Sequence, residues 1–184
     1  MKPTSRLANT LDLELHDGEV IEVGLTTIDL GARAILQSYS FPIKHDKRIS
    51  DGIYQLTGWT QAKLNKSGEE LPVVYERLIS KYGLVGRLLI VDDKDEWSTV
   101  YSDAISKDVN PWFASMDGNL PKISDLRAPE QINVSNLFRI KYNDFSSQSL
   151  LGMLEKTGLG FIGNPHRAKD DSYNIARLFL ELIK

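Results

Sequence analysis

The stretch RLANTLDLEL, residues 6–15, decides how this chain folds. Its second half alternates leucines with Thr10, Asp12 and Glu14, and this period of two is typical of a β-strand. Asp12 and Glu14 therefore project from the same face of the strand, roughly 7 Å apart along it from the rise per residue. The segments that follow indicate where in a sheet this strand lies.

Two more strands follow through short turns. Asp17-Gly18 is a tight-turn signal, and the run VIEVGLTTIDL at residues 20–30 is rich in β-branched residues. Gly31 separates that run from a third strand at residues 34–43. Three consecutive strands joined by short turns predict an antiparallel meander.

Helical spacing begins after the meander. Thr60 is placed to cap a short helix, and apolar residues from 71 to 82 recur on one face of a longer helix, with Gly83 where a C-terminal cap belongs. Residues 88–91 are wholly apolar, as in a strand buried on both faces. An acidic cluster follows directly and contains Asp92, Asp93, Asp95 and Glu96.

The rest of the chain predicts one more strand and three helices. We expect a helix and an irregular insertion at 103–131, a strand at 132–142, a helix at 147–156 that Gly158 ends, and a closing helix at 165–184. This order fits a mixed sheet with the first strand at its centre and helices on its faces, formed by one domain of residues 1–184.

Composition excludes several kinds of site and partner. The 184 residues include no cysteine, which rules out disulfides and thiolate chemistry, and the three histidines are too scattered for a dedicated zinc site. A metal would be held mainly by oxygen ligands, which favours Mg²⁺ or Mn²⁺. The formal net charge of −3 argues against tight non-specific binding to long duplexes, but it permits binding of a short single strand at one site.

Targeting signals are not evident in the sequence. The N-terminal residues are polar and charged, and no apolar run approaches transmembrane length. We therefore expect a cytoplasmic protein with no membrane partner, and the sequence leaves its oligomeric state open.

The closing helix carries a carboxylate on its apolar side. The apolar residues from 175 to 183 form a stripe that extends back to Asp171, and His166 lies five residues before it, where the helix would begin. A buried carboxylate is costly unless it is paired or bound to a metal. The neighbouring Asp170 falls instead on a polar stripe, which it shares with Asn174, Arg177 and Glu181.

Carboxylates thus come from three segments: the first strand, the acidic cluster after residue 91, and the closing helix. Such a set can bind two divalent ions that activate a water and stabilise the leaving oxygen in phosphoryl transfer. His166 would then be the base that takes a proton from that water. Simpler interpretations stay open: a solvated face for Asp12 and Glu14, a helix start for the middle acids, and an incidental His166.

In these features the chain resembles the DEDD 3′–5′ exonucleases of the ribonuclease H-like superfamily, in their histidine-containing branch. The first motif, D-x-E on a strand, matches Asp12 and Glu14, and the last motif, H-x-A-x-D-D, matches residues 166–171. The run LTGWT at 56–60 resembles the segment that approaches the 3′-terminal nucleotide in this family. The resemblance covers nearly the whole chain and implies a ribonuclease H-like α/β fold: a mixed five-stranded sheet, with three antiparallel strands and then two parallel ones, flanked by helices.

The resemblance also implies a set of site residues. The ligands of two Mg²⁺ or Mn²⁺ ions would be Asp12, Glu14, a middle acid and Asp171, with His166 as the general base and Leu56, Thr57 and Gly58 at the substrate. The middle motif VDDKDEWSTVY lacks the glycine usual in the family, so its ligand is ambiguous. Asp95 matches the family by residue type and is our choice, whereas Glu96 better fits the apolar spacing downstream.

Two further residues each have two interpretations. Glu22 interrupts an apolar strand, either as a polar edge residue, which we favour, or as a partner of a metal ligand. Trp59 lies beside the substrate segment and either packs in the core or stacks on a base.

The sequence therefore predicts a metal-dependent exonuclease that removes nucleoside monophosphates from the 3′ end of single-stranded RNA or DNA. One alternative is a ribonuclease H-like domain that has lost efficient catalysis and works as a binding or regulatory module. A second alternative is a metal-dependent phosphatase of small nucleotides.

Overall fold

A computed structural model describes residues 6–92 and 129–184 and, between them, Glu96, Ser98, Thr99 and Asp103. The strands are β1 (Leu7–His16), β2 (Glu19–Asp29), β3 (Ala34–Pro42), β4 (Leu88–Val91) and β5 (Gln131–Asn133). The helices are α1 (Asp51–Thr57), α2 (Gln61–Ser67), α3 (Leu71–Ser80), α4 (Val134–Tyr142), α5 (Leu150–Lys156) and α6 (Ala168–Leu182). None of these helices is long and apolar enough to cross a membrane.

The five strands form one mixed sheet in the order β3-β2-β1-β4-β5. β1 is central, antiparallel to β2 and parallel to β4, and the outer pairs are antiparallel β2–β3 and parallel β4–β5. This confirms the fold class and the central place of the first strand. The parallel β1 and β4 end at the same edge of the sheet, so the residues at their carboxyl ends are brought together.

Apolar side chains pack on both faces of the sheet. On one face, Leu11 and the neighbouring leucine and valine side chains of β2 contact the buried stripe of α3. On the other face, Ala8, Ile28 and Ile90 pack against α6, whose Ile175, Leu178 and Phe179 are buried. Each of the buried leucine, isoleucine, valine and phenylalanine side chains contributes roughly 1.5–3 kcal/mol when it is removed from water. Helix α6 is therefore held firmly across the centre of the sheet.

The first turns of α6 approach the sheet unusually closely. A Cβ atom added at Gly24, the β2 residue paired with Asp12, would lie 1.8 Å from the carbonyl oxygen of Ala168. One turn later, the Ser172 carbonyl accepts a hydrogen bond from the Thr10 hydroxyl at 2.6 Å. The Ser172 hydroxyl lies 3.0 Å from the Thr26 hydroxyl. These contacts place the start of α6 directly over the polar face of β1.

The strand expected at residues 132–142 is wrong in all but its first two residues. Only Gln131–Asn133 pairs with β4, and Val134–Tyr142 is helix α4. The Asn133 side chain accepts a hydrogen bond from the Asn136 amide at 2.8 Å and so caps the helix, while Val134 and Phe138 are buried one turn apart. Packing on α6 thus overrides the β-propensity of this apolar run.

Helix boundaries differ from the sequence-based ones elsewhere. α3 ends at Ser80 and Gly83 follows with φ +63°, while α6 begins at Ala168 because His166 has φ +61°, outside the helical region. The sequence did not predict α1, which Ser50 caps at its start and Gly58, with φ +69°, ends. Apart from Asp103 and residues 129–131, the helix and insertion expected at 103–131 lie outside the described residues.

Candidate active site

A cavity of about 600 Å³ opens at the shared carboxyl edge of β1 and β4. Its titratable side chains come from the first strand, the segment after β4 and the segment around the start of α6, and apart from Ser149 the rest of its wall is apolar. The lining residues are Asp12, Leu13, Glu14, Leu15, Leu56, Asp92, Glu96, Ser149, Leu150, Leu151, Phe161, Pro165, His166 and Asp171.

Three carboxylates meet at the floor of this cavity. Asp12, Glu14 and Asp171 each offer an oxygen, and these oxygens lie within 4.8 Å of one another. The spacing on β1 places Asp12 and Glu14 on the same face of the sheet, as the sequence predicted. That face is the one covered by α6, whose close approach at Gly24 brings Asp171 to them. Among the described residues this is the cluster whose side chains could hold a metal ion together.

The electrostatics of the cluster favour a bound cation. Burial raises the pKa of Asp12 well above its usual range, and the negative charges of Asp171, Glu96 and Glu14 raise it further. Burial likewise raises the pKa of Asp171 to about 7, although the amide N–H groups of His166 and Arg167 donate to its carboxylate and lower that pKa. Carboxylates that repel one another in a partly desolvated site are stabilised by a divalent ion.

The middle acidic motif contributes Glu96 and Asp92 to the cavity. Glu96 is buried, with 6% of its surface exposed, and its charge acts on Asp12. Asp92 accepts a hydrogen bond from the Ser135 hydroxyl at 2.9 Å, so its position is set by α4. Asp95, the residue that the sequence favoured as the middle ligand, lies outside the described residues. Among the described residues of this motif, Asp92 and Glu96 line the cavity, and Glu96 is the alternative that the sequence left open.

His166 lies on an exposed loop at the mouth of the cavity. The loop is held by the helix behind it: the Asp170 carboxylate accepts from the Asn164 amide at 2.9 Å, and Asn174 both donates to and accepts from the backbone of Ile162. Asn174, which the sequence places on the polar stripe of the helix, is fully buried. Its amide is buried because it satisfies loop backbone groups that would otherwise lack partners.

The segment expected at the substrate contributes one side chain to the cavity. Leu56, with 48% of its surface exposed, lines the wall. Thr57 points inward instead, where its hydroxyl donates to the Ile53 carbonyl and accepts from the Trp59 amide. Gly58 supplies the left-handed turn that ends α1. Thr57 and Gly58 therefore shape the segment that presents Leu56.

Glu22 and Trp59 are partners in the interior, not surface residues. Glu22 is 2% exposed, accepts hydrogen bonds from the Trp59 indole N–H at 2.7 Å and the Ser40 hydroxyl at 2.5 Å, and raises the pKa of Asp171. The favoured assignment of Glu22 to a polar edge is wrong. Trp59 is 9% exposed and packs with Ile21 and Leu64, which agrees with the core interpretation.

One wall of the cavity, which the sequence did not predict, is formed by Ser149, Leu150, Leu151 and Phe161. Ser149 caps α5, and Leu151 leaves 43% of its surface exposed beside the carboxylates. The sequence did contain one signal: the helix that Ser149 caps carries an apolar residue, Leu151, away from its buried face. Its direction toward the cavity depends on how α5 packs on α6.

Comparisons with known proteins agree with this geometry. The family model described as exonuclease, that of RNase T, matches residues 10–179. The chain is 30% identical over 175 residues to human 3′-5′ exoribonuclease 1 and 29% identical to the rat protein of the same name. Each match covers 90% of this chain, and the chain spans about half the length of these relatives, 46% and 47%.

Solved structures share the fold at lower identity. The nuclease domain of 3′hExo, a DEDDh family member bound to rAMP, has a TM-score of 0.79 at 22% identity, covering 98% of this chain and 92% of that one. The Mg²⁺- and Mn²⁺-bound Pop2p of S. pombe has a TM-score of 0.67 at 16% identity, covering 96% and 81%. With the D-x-E strand and the histidine-aspartate segment at one cavity, this chain belongs to the exonuclease family, in the DEDDh branch of the ribonuclease H-like superfamily.

Proposed function

We propose that this chain is a 3′-5′ exonuclease that hydrolyses the terminal phosphodiester bond of single-stranded RNA or DNA and requires Mg²⁺ or Mn²⁺. The observation that carries the proposal is the meeting of Asp12, Glu14 and Asp171, within 4.8 Å of one another, in a cavity that His166 also lines. Family membership and the names of the relatives support the direction and type of reaction.

The donor set fits two divalent ions of the hard class. All the candidate ligands are carboxylates, namely Asp12, Glu14, Glu96 and Asp171, and no cysteine is present in the chain. Burial, and after it nearby negative charges, raises the pKa values of Asp12 and Asp171, and a bound cation would offset both by stabilising the ionised carboxylates. When bound, such ions supply an activated water and stabilise the leaving 3′-oxygen.

The remaining steps fall to side chains of this chain. His166 is exposed at the cavity mouth, where its imidazole can accept the proton of the attacking water and pass it to solvent. Leu56 and Leu151 offer partly exposed apolar surface on the cavity wall, against which the terminal base can pack. The products are a nucleoside 5′-monophosphate and a strand shorter by one nucleotide with a new 3′-hydroxyl.

The direct test uses 5′-labelled single-stranded RNA and DNA oligonucleotides incubated with the purified protein and Mn²⁺. We expect a ladder of products that shorten one nucleotide at a time, no reaction in EDTA, and no cleavage of a closed circular oligonucleotide. Absence of metal-dependent shortening on both RNA and DNA would contradict the proposal. Binding without shortening would identify a binding module, and phosphate release from mononucleotides alone would identify a phosphatase.

The role of His166 has its own test. His166→Ala should lower kcat by about 10²–10⁴-fold, the usual contribution of a general base, while calorimetric Mn²⁺ affinity stays within about threefold. The exposed His166 contributes little to packing, so the thermal melt should not change. A loss of Mn²⁺ affinity larger than the loss of kcat would reassign His166 as a metal ligand.

A further inference from the structure

A cation–π contact joins the two segments that flank the mouth of the cavity. The Arg167 guanidinium carbon lies 5.0 Å from the centroid of the Trp59 ring. Arg167 follows His166 directly, and Trp59 follows the turn that presents Leu56. The two residues also meet at Gly58, where an added Cβ would lie 3.4 Å from an Arg167 guanidinium nitrogen. The histidine segment therefore rests against the segment proposed to bind the terminal nucleotide.

Trp59 is a fixed platform for this contact. Its ring is buried among Ile21, Ile49 and Leu64, and its indole N–H donates to the buried Glu22 carboxylate at 2.7 Å. The second Glu22 oxygen accepts from Ser40. A ring held by packing on its sides and by a hydrogen bond to a charged group keeps one orientation, so its face is set for Arg167.

Arg167 is tied in turn to the residues of the reaction. Its carbonyl accepts from the Asp171 amide at 2.9 Å, and its own amide N–H donates to the Asp171 carboxylate. The preceding His166 has φ +61°, a conformation that a residue other than glycine keeps only when its surroundings hold it there. A displacement of Arg167 would therefore shift both the His166 imidazole and the Asp171 carboxylate.

We propose that Arg167 and Trp59 form a positioning pair, which couples the Leu56–Gly58 segment to the placement of His166. Neither side chain needs to touch the reacting atoms. The pair holds His166 in its left-handed backbone conformation. When the terminal nucleotide packs against Leu56, the pair communicates that contact to the His166 imidazole, which accepts the proton. This inference rests on the exonuclease function proposed above.

Kinetics of single and double variants test the coupling. Arg167→Met and Trp59→Leu should each lower kcat about tenfold, which corresponds to about 1.4 kcal/mol in the barrier, with KM within about twofold. The double variant should lose little more than either single one, because the contact is already absent. Arg167→Lys, which keeps a cation over the ring, should recover kcat to within about threefold of the wild type.

Lys169→Met is the matched control. Lys169 is exposed on the second residue of α6, so this variant also removes one positive charge near the start of the helix. Its kcat and KM should equal those of the wild type. If Trp59→Leu does not fold, as judged by its thermal melt, the comparison of Arg167→Met with Arg167→Lys and Lys169→Met decides the question.

An NMR readout separates this inference from the proposed activity. The indole N–H signal of Trp59, assigned by its loss in Trp59→Phe, should shift in Arg167→Met but not in Lys169→Met, with neither metal nor nucleic acid present. An unshifted signal overturns the contact itself. A rise in KM with unchanged kcat overturns the positioning role and makes Arg167 a substrate contact, and fully additive losses in the double variant overturn the coupling. If the signal shifts in Arg167→Met but the wild-type protein degrades no oligonucleotide, the contact is supported and the exonuclease function is contradicted.

Discussion

Two pairs of acids lie at or beside this site, and they are arranged differently in the chain. Asp12 and Glu14 are two residues apart on β1, and both reach the cavity. Asp170 and Asp171 are adjacent on α6, but of the two only Asp171 lines the cavity. The Asp170 carboxylate instead accepts a hydrogen bond from the Asn164 amide, behind the cavity. A strand repeats every two residues, whereas neighbours on a helix differ in direction by about 100°.

The difference assigns unlike tasks to chemically similar side chains. The strand pair places two carboxylates at one point of the cavity, where burial, and then the charges of Asp171, Glu96 and Glu14, raise the pKa of Asp12. The helix pair divides its charge, so that Asp171 completes the cluster and Asp170 braces the loop that carries His166. Period and register therefore decide which acids can act on a substrate.

The largest expected effect comes from neutralising one carboxylate of the cavity, either Asp12 from the strand pair or Asp171 from the helix pair. Asp12→Asn and Asp171→Asn should each lower kcat by about 10³-fold or more, since a divalent ion contributes several kcal/mol of transition-state stabilisation. Mn²⁺ affinity, measured by calorimetry, should fall with it. In EDTA both variants should melt at or above the wild-type temperature, because each removes like-charge repulsion. Activity within tenfold of the wild type in either variant would contradict the proposed site.

The middle motif gives the next largest contrast. Glu96→Gln should lower kcat by about 10²-fold, since Glu96 is buried at the cavity and its charge acts on Asp12. Asp95→Asn serves as its neighbour control and should stay within about threefold. Single-turnover assays at saturating Mn²⁺ would measure both. The reverse result would identify Asp95, the residue that the sequence favoured, as the middle ligand.

Gly24→Ala tests the contact that brings the strand pair and the helix pair together. A Cβ there would lie 1.8 Å from the Ala168 carbonyl oxygen, so α6 must move away from β2. We expect a loss of about 1–3 kcal/mol in the free energy of unfolding and a fall in kcat of about tenfold or more. Urea denaturation and oligonucleotide assays would measure the two effects. Gly52→Ala, where an added Cβ meets nothing within 4 Å, is the control.

The metal-free protein should lose stability as the pH rises. Asp171 has a pKa of about 7 in the folded chain, above the usual value of 3.8, so the folded state keeps its proton where the unfolded state has released it. The stabilisation is complete below about pH 4 and is lost as the pH rises through 7, and the raised pKa of Asp12 acts in the same direction. We expect a decrease of about 1–3 kcal/mol between pH 4 and 8 in EDTA.

Thermal melts across this pH range would measure the decrease. Asp171→Asn should flatten the slope, and saturating Mn²⁺ should remove most of it, since the ion stabilises the ionised form. A free energy of unfolding that rises with pH in EDTA would contradict the assignment.

The smallest expected effect concerns the other member of the helix pair. Asp170→Asn keeps an oxygen that can accept a hydrogen bond from the Asn164 amide, so kcat should remain within about threefold of the wild type. Asp170→Ala leaves that amide without its partner and should cost about 1 kcal/mol of stability and about fivefold in kcat. Equal, severe losses for Asp170→Asn and Asp171→Asn, with folding intact, would contradict the division of tasks.

Much of the fold and part of the site follow from local patterns. The alternation at 10–15 identified the central strand and the shared face of Asp12 and Glu14, and the helical stripe placed Asp171 inward. Helix α4 did not follow, because Val134 and Phe138 are as consistent with a strand as with a helix until α6 supplies a surface. Asn174 and Glu22 did not follow either, since their polar partners come from distant segments.

By itself, the sequence determined which residues share a face, because strand and helix periods act over a few residues. It therefore identified the two acid pairs, the central strand and the histidine that precedes α6. Only the tertiary structure decided that Glu96 lies at the cavity, that Glu22 is buried beneath Trp59, and that Arg167 rests on that ring. These contacts join segments that are far apart in the chain. Which residues meet depends on the strand register, on how α6 crosses the sheet and on which groups lose water, and no local pattern contains that information.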